Sequence, residues 1–176
     1  MEFFDVISAR RSVRAYQRIA VERDKLERIL TTANTAPSAG DLQADQIVVV
    51  QRAAIRSSLA TAAYGQSFLA EAPVVLVFFA NPARSAARYG ARGESLFSVQ
   101  DASIATAHAQ LAATALGLGA CWVGAFDEHR VTQILDAPAK LRPIAMLAIG
   151  YAAEQPTPTS RRQLAELVRY ETFQTA

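Results

Sequence analysis

The chain is organised around the stretch Ala9-Arg10-Arg11-Ser12-Val13-Arg14-Ala15-Tyr16-Gln17-Arg18, in which five of ten residues are arginine or serine. If the stretch is extended, alternate side chains share a face, so Arg10, Ser12 and Arg14 point one way and the residues between them the other. Two guanidinium groups and a hydroxyl on one face suit a phosphate, because the planar guanidinium binds phosphate oxygens bidentately. Taken alone, the stretch is typical of a solvated basic turn or a nucleic-acid contact.

The composition predicts one compact domain over residues 1–176. Hydrophobic residues make up 51% of the chain, and the net charge of +2 is too small to argue for a nucleic-acid partner. The other arginines are dispersed among acids, which also disfavours a nucleic-acid-binding module. The single cysteine, Cys121, excludes an internal disulfide framework and a Cys-x-x-Cys metal site. Two of the first five residues, Glu2 and Asp5, are acids where a secretory signal has bases, and we therefore expect a cytoplasmic protein.

Hydrophobic periodicity predicts a sheet covered by helices. The predicted helices cover 2–9, 21–34, 53–63, 100–116 and a segment capped by Asp127, and the predicted strands cover 46–50, 74–79, 121–123 and 144–149. The stretch 102–126 has no charged residue, but its polar side chains and glycines favour a helix buried in a core over a membrane span. Gly117 is predicted to end that helix.

The helix over 100–116 carries Ile104, His108, Leu111, Ala112 and Ala115 along one predicted apolar face. Residues 81–97 mix three arginines with scattered apolar side chains, and this segment is predicted to be a mobile flap.

The sequence contains no recognisable metal site, nucleophile motif or dinucleotide-binding loop. His108 and His129 have no partner at metal-ligand spacing, so no metal site is predicted. Cys121 lies in an apolar strand, which is typical of an inert buried thiol. The glycines at 117 and 119 follow a helix and precede a strand, the reverse of a dinucleotide-binding loop.

Four separated segments remain as candidate binding elements: Arg10–Arg14, Ala36–Gln43, Trp122–Phe126 and Ser160–Arg162. The second is made of small residues that let backbone approach a flat ligand, and Gln43 offers a donor and an acceptor to a ring edge. In the third, Gly124 gives access to backbone N–H groups. Each is a common surface feature when taken alone.

In their order along the chain and in their amino acids, these segments resemble the nitroreductase family of flavin enzymes, and the resemblance covers nearly the whole chain. The resemblance rests on six motifs: Arg10-Arg11-Ser12-Val13-Arg14, Ala36-Pro37-Ser38-Ala39-Gly40-x-Leu42-Gln43, Gly65-Gln66, Gln100-Asp101-Ala102, Gly117-Leu118-Gly119-Ala120-Cys121-Trp122-Val123-Gly124 and Gly150-Tyr151. The short length resembles the compact branch of that family.

The resemblance implies an α+β fold with a mixed central sheet, working as an intertwined homodimer. Two FMN molecules would lie in the interface, each touching both protomers, and a tail from about residue 152 to 176 would reach the partner chain. Arg10 and Ser12 would hold the FMN phosphate, Arg14 would lie near the pyrimidine edge of the ring, and Arg161 would reach the phosphate from the tail.

The remaining implied FMN contacts come from three places. The loop with Pro37, Ser38, Ala39, Gly40 and Gln43 would approach the cofactor from the partner chain. The backbone N–H groups of Gly124 and Ala125 would face the N5/O4 region of the ring. The implied set is completed by Arg11, Gln66 and Val123.

The implied activity is that of an enzyme that uses NADH or NADPH to reduce nitroaromatic or quinone-like acceptors by a ping-pong, two-electron mechanism. No catalytic side chain is required, because the flavin carries the chemistry and the protein tunes it through Arg14 and Gly124. Two alternatives stay open. One is another flavin reaction on this fold, such as dehalogenation, thiazoline oxidation or flavin fragmentation, and the other is flavin binding without catalysis.

The sequence departs from the family pattern in two places near the predicted site and in a third farther along the chain. Asp41 stands where the family usually has asparagine, and Ala44-Asp45 stands where it usually has Pro-Trp. Residues 81–97, which would roof the pocket, carry three arginines for which the sequence suggests no role. Neither the physiological acceptor nor the choice between NADH and NADPH is predicted by the sequence.

Overall fold

A four-stranded sheet forms the centre of the molecule in the computed structural model, which describes residues 1–173. The strands are β1 (Asp45–Val50), β2 (Val74–Ala80), β3 (Gly119–Val123) and β4 (Arg142–Gly150), in the order β1-β2-β4-β3. All seven residues of β2 are buried, because this strand is central and has helices on both faces. The strand β1 is an edge strand, and its outward residues are exposed, so the prediction that 46–50 is buried was wrong.

Helices cover both faces of the sheet. They are α1 (Phe3–Ala9), α2 (Arg23–Asn34), α3 (Ala53–Ala62), α4 (Phe68–Glu71), α5 (Pro82–Arg92), α6 (Ser98–Ala115), α7 (Glu128–Ile134) and α8 (Leu164–Leu167). Alternate residues of β2 divide the core: Val75, Val77 and Phe79 pack with α3, α4 and α7, while Leu76 and Phe78 pack with α2 and α6. The arrangement is the expected helix-covered α+β fold.

The four strands pair antiparallel throughout. The parallel pairing that a mixed sheet requires is found, within residues 1–173, only in the single bridge between Ser12 and Ala120. The arginine-rich stretch therefore lies beside β3 as a short extended segment, and the sheet is mixed only at this outer edge.

The long helix α6 ends as predicted but buries a different face. Gly117 has φ +77°, and the N–H of Leu118 bonds to the carbonyl of Ala113, the geometry of a Schellman cap. The side chains packed on the sheet are mainly alanines, including Ala102, Ala105, Ala109 and Ala113. The predicted stripe through Ile104, His108 and Leu111 is instead half-buried. The helix lacks charge almost all round, so periodicity alone does not say which face packs.

Residues 81–97 are ordered as helix rather than as an irregular loop. Asn81 caps α5 by accepting a hydrogen bond from the N–H of Arg84 at 3.1 Å. Gly90 breaks the helix with φ +54° and ψ −144°, and a π-helical turn over Gly93–Phe97 then leads into α6. The flap function of this segment stays a prediction.

The tail contributes no buried side chain among the described residues from 153 to 173. Nearly all residues from 153 to 173 are exposed, and the apolar side chains of Leu164, Tyr170 and Phe173 are 72%, 87% and 91% exposed. Within the described part of the chain, no helix is long and apolar enough to cross a membrane.

Candidate functional site

The stretch Arg10–Arg14 is fixed to β3 by its buried member, Val13. The N–H of Val13 donates to the carbonyl of Ala120 at 3.1 Å, and its side chain lies against Gly119, where a Cβ atom would come within 2.9 Å of Val13. This close approach leaves no room for a side chain at position 119. The stretch is therefore extended beside the strand, as its alternating pattern predicts.

The arginines of this stretch divide between two sides. The Arg14 guanidinium lies 6.0 Å from the ring centroid of Phe68. Arg11 instead donates to the carbonyl oxygens of Ser8 and Arg10 at 2.6 and 2.8 Å, at the end of α1. It lines a cavity of about 290 Å³ together with Val13. The binding role predicted for Arg11 thus competes with a structural one.

Cys121 lies behind the arginines. Burial raises the pKa of the Cys121 thiol, and the nearby charges of Arg14 and Arg10 lower it to a lesser degree. The net effect keeps the thiol protonated, in agreement with the predicted inert, buried cysteine. The stretch that carries Arg10 and Arg14 runs beside β3, where Ser12 pairs with Ala120.

Glu154, at the start of the tail, binds the backbone of the arginine stretch. Its carboxylate accepts hydrogen bonds from the backbone N–H groups of Arg14 and Ala15, the latter at 3.1 Å. The sequence does not reveal this contact, since Glu154 is 140 positions from Arg14.

The loop that follows β3 completes this side of the site. Gln66 joins it by donating from Nε2 to the carbonyl oxygen of Ala125 at 3.1 Å. Gly124 and Ala125 are exposed, and no hydrogen bond within residues 1–173 uses their backbone N–H groups. Val123 is the buried last residue of the strand and anchors the loop. Two N–H groups without a hydrogen-bond partner among the described residues therefore follow directly on β3, the strand beside which the arginine stretch runs.

The loop Pro37–Gln43 is held by a buried carboxylate. Asp101 is 3% exposed, and its Oδ1 and Oδ2 atoms accept from the N–H groups of Ala39 and Ala44 at 3.0 and 3.2 Å. Gln43 donates from Nε2 to Asn34, so only its amide oxygen stays available to a ligand. The sequence motif contains Asp101, but only the structure gives it this role.

The two departures from the family pattern near the predicted site fit the geometry of this loop. Asp41 has φ +56°, a left-handed conformation that aspartate and asparagine adopt more readily than most residues. Ala44 is fully buried against Asp101. Asp45 has its pKa raised by burial and then by the charge of Asp101.

The arginines of α5 hold the same loop from its other side. Arg84 donates from Nε to the carbonyl oxygen of Leu42, and Arg88 donates to that of Gly40 at 3.3 Å. A cavity of about 480 Å³ lies next to the loop, lined by Pro37, Ser38 and Ala39 on one side and by residues of the π-helical turn and α6 on the other.

The predicted site residues thus form two separate groups. No hydrogen bond or ion pair within the described residues joins Pro37–Gln43 to Arg10–Arg14. Arg161 also stands apart, and its guanidinium bonds to Thr159 and Ser160 in the exposed tail. Among residues 1–173 there is no cluster of three or more potential metal-ligating side chains.

Comparison with known proteins gives consistent matches. The profile of the Nitroreductase family matches residues 7–67 and 60–151. The chain is 36% identical to an NADH dehydrogenase of Thermus thermophilus, covering 90% of this chain and 91% of the relative. It is 29% identical to an oxygen-insensitive NADPH nitroreductase of Salmonella typhimurium, covering 95% and 72%. Among solved structures, an FMN-dependent nitroreductase from Clostridium difficile superposes with a TM-score of 0.83 at 27% identity, covering 97% and 99%.

Proposed function

The chain belongs to the nitroreductase family, and on that premise we propose that it reduces nitroaromatic or quinone-like acceptors in a ping-pong cycle. It is an NAD(P)H-dependent oxidoreductase with FMN as its cofactor. When bound, FMN supplies the two-electron hydride chemistry. Donor and acceptor would occupy the same site in turn, so a single cavity has to accept two kinds of flat molecule.

The observation that carries this proposal is the donor set beside β3. The arginine stretch runs beside β3, and the N–H groups of Gly124 and Ala125, which come just after that strand, have no hydrogen-bond partner within residues 1–173. Free N–H groups and guanidinium groups together suit a ligand with a phosphate at one end and a polar ring edge at the other. The residues present therefore fit FMN.

Each residue of this donor set has a proposed task. Arg10 and Ser12 bind the phosphate. Arg14 provides positive charge beside the ring, which stabilises negative charge that develops there during reduction. Gly124 and Ala125 orient the ring through their N–H groups. Arg161 adds a phosphate contact when the tail is in place.

The loop Pro37–Gln43, in this proposal, contributes to the FMN site of the partner in a homodimer. It is held by Asp101 and α5, and within the described residues it forms no hydrogen bond with the arginine stretch of its own chain. Apolar residues stand exposed where a partner could cover them, including Phe3 at 63% and Phe4 at 79%. The half-buried face of α6 lies next to α1 and extends this surface along a groove of about 590 Å³.

No side chain is assigned as a catalytic acid, base or nucleophile. Cys121 is buried with a raised thiol pKa, and His108 lies on the half-buried face of α6, away from the arginine stretch. Hydride transfer needs no proton donor from the protein. The task of the chain is therefore to bind and orient the cofactor and to tune its reactivity. The cytoplasmic location expected from the amino-terminal sequence is part of the same proposal.

The absorption spectrum of the purified protein tests the proposal. We expect flavin bands that bleach on anaerobic addition of NADH or NADPH and return when a quinone or nitroaromatic compound is added. A protein that binds FMN and is bleached by neither donor would support the non-catalytic alternative. A colourless protein that does not take up FMN, or one whose mass in solution is the 19.0 kDa of a monomer, would contradict the shared FMN site.

A further inference from the structure

A stack of alternating cationic and aromatic side chains stands beside the cavity of about 480 Å³. The Tyr89 and Phe97 rings meet edge to face with centroids 5.1 Å apart. The Arg88 guanidinium lies 5.5 Å from the centroid of Tyr89, and the Arg92 guanidinium lies 5.4 Å from that of Phe97. Phe97 itself lines the cavity.

The break at Gly90 makes this stack possible. An unbroken helix would carry Arg92 one turn above Arg88 on the same face. The positive φ of Gly90 redirects the chain, so Arg88 packs on Tyr89 before the break and Arg92 packs on Phe97 after it. The two guanidinium groups consequently flank the aromatic pair.

Stacking orders a guanidinium group without using its donors. A cation–π contact engages the planar face, whereas the N–H groups point outward in the plane and can bind an anion bidentately. Arg88 uses one N–H for the carbonyl oxygen of Gly40. Arg92 makes no hydrogen bond or ion pair within residues 1–173, so its donors are available.

The acids nearby do not neutralise these arginines. Asp101 lines the cavity, but both of its oxygens accept backbone N–H groups. Asp41 and Glu94 are exposed, and neither forms an ion pair with Arg88 or Arg92 in the described part of the chain. The Arg92 guanidinium, stacked on the cavity-lining ring of Phe97, therefore has no ion-pair partner among the described residues.

We propose that Arg92, supported by Arg88, forms an anion subsite that binds a carboxylate or phosphate group carried by the flat molecule in the cavity. This inference rests on the proposed function, because the flat molecule is the acceptor or donor of that reaction. The anionic group has two possible sources: an acidic substituent on the acceptor, or the 2′-phosphate that distinguishes NADPH from NADH. Both present oxygens that a guanidinium binds in the same way.

Binding to the oxidised, FMN-loaded protein, without any reductant, tests the subsite. The probes are two matched pairs, para-nitrobenzoate with para-nitrobenzamide and NADP⁺ with NAD⁺, titrated by calorimetry at low salt. In at least one pair we expect the anionic member, or the member with the extra phosphate, to bind about tenfold more tightly, the size of one charge-assisted hydrogen bond. The pair that shows the preference identifies the source of the anion.

Variants of Arg92 test whether the stack causes the binding preference for the anionic probe. Arg92→Gln should bring the ratio within the responding pair close to one, while Arg92→Lys should keep part of it. Arg23→Gln is the matched control, since it removes one positive charge from an exposed arginine at the start of α2. It should leave the ratio unchanged. High salt should reduce the preference in the wild type.

Three outcomes would overturn the subsite. In the first, both pairs bind without preference; in the second, no probe binds; in the third, the preference survives in Arg92→Gln. Circular dichroism and the flavin spectrum of each variant establish that it is folded and loaded. Failure of the proposed function looks different, because then the wild type itself shows no flavin bands or is not bleached by NADH or NADPH.

Discussion

At the scale of single residues, a buried carboxylate decides the shape of a binding loop. Among residues 1–173, Asp101 is the only acid that is buried, and each of its oxygens accepts a backbone N–H from the segment 39–44. Backbone N–H groups that lose a buried acceptor cost about 1–3 kcal/mol each. Asp101 is therefore a positioning residue for the loop rather than a catalytic one.

We expect Asp101→Ala to lower the free energy of unfolding by about 2–4 kcal/mol, because two N–H groups lose their acceptor. Asp101→Asn should cost less, since the amide oxygen still accepts one of them. Urea unfolding of the FMN-free protein measures both. Asp24→Asn, at an exposed position of α2, is the control and should change stability little. Equal stability of Asp101→Ala and the wild type would show that the loop does not depend on this carboxylate.

At the scale of elements, α5 packs on the loop 37–43 so closely that a glycine is required. A Cβ atom at Gly40, whose φ is +57°, would lie 2.3 Å from the Tyr89 hydroxyl and 3.0 Å from the Arg88 guanidinium. Together with the hydrogen bonds from Arg84 and Arg88, this contact makes the helix and the loop one unit. The three arginines for which the sequence suggests no role thus hold the loop or stack on its aromatic neighbours.

Gly40→Ala compared with Gly65→Ala separates this contact from backbone strain. Both glycines have positive φ, but nothing lies within 4 Å of a Cβ atom at Gly65. We expect Gly65→Ala to cost about 1–2 kcal/mol from its left-handed conformation alone, and Gly40→Ala to cost measurably more. Adding Tyr89→Ala to Gly40→Ala should cancel part of that excess in a double-mutant cycle. Equal costs for the two single variants would mean that α5 does not constrain the loop.

At the scale of the whole molecule, one chain looks like half of an assembly. Within the described residues no hydrogen bond joins the loop Pro37–Gln43 to the arginine stretch, and the tail carries large apolar side chains that are mostly exposed. The proposed homodimer, in which each FMN site combines the arginine stretch of one chain with the loop of the other and the tail is covered, would account for both features.

Deleting residues 157 onward tests this arrangement. The truncated chain should still fold and lose only the four helical residues of α8, because residues 157–173 add no buried side chain to the core. FMN affinity should fall at least about tenfold with the loss of Arg161, the worth of one charge-assisted contact, and the dimer should weaken. Fluorescence titration with FMN and light-scattering mass measure the two effects. Full FMN affinity together with an unchanged dimer mass would contradict the proposed role of the tail.

The amino-acid sequence by itself determined the element types and most of their positions. Apolar periodicity, β-branched runs and capping residues act over a few neighbouring positions, so the β2 strand, the Gly117 cap and the Asp127 cap are all predictable from their surroundings. The motifs around Arg10–Arg14 and Gly124 were enough to indicate the family and its cofactor. The flap role of 81–97, the site residues and the tail contact stay predictions.

Only the tertiary structure decided which side chains hold those motifs in place. Glu154 meets Arg14 across 140 positions, and Asp101 meets Ala39 across 62, and no local pattern encodes such contacts. The sequence likewise did not determine which face of α6 packs on the sheet. A helix that is almost free of charge looks apolar in every direction, and only contact with the sheet selects its alanine side. Local chemistry determines what each segment can be, and packing across the chain determines what it touches.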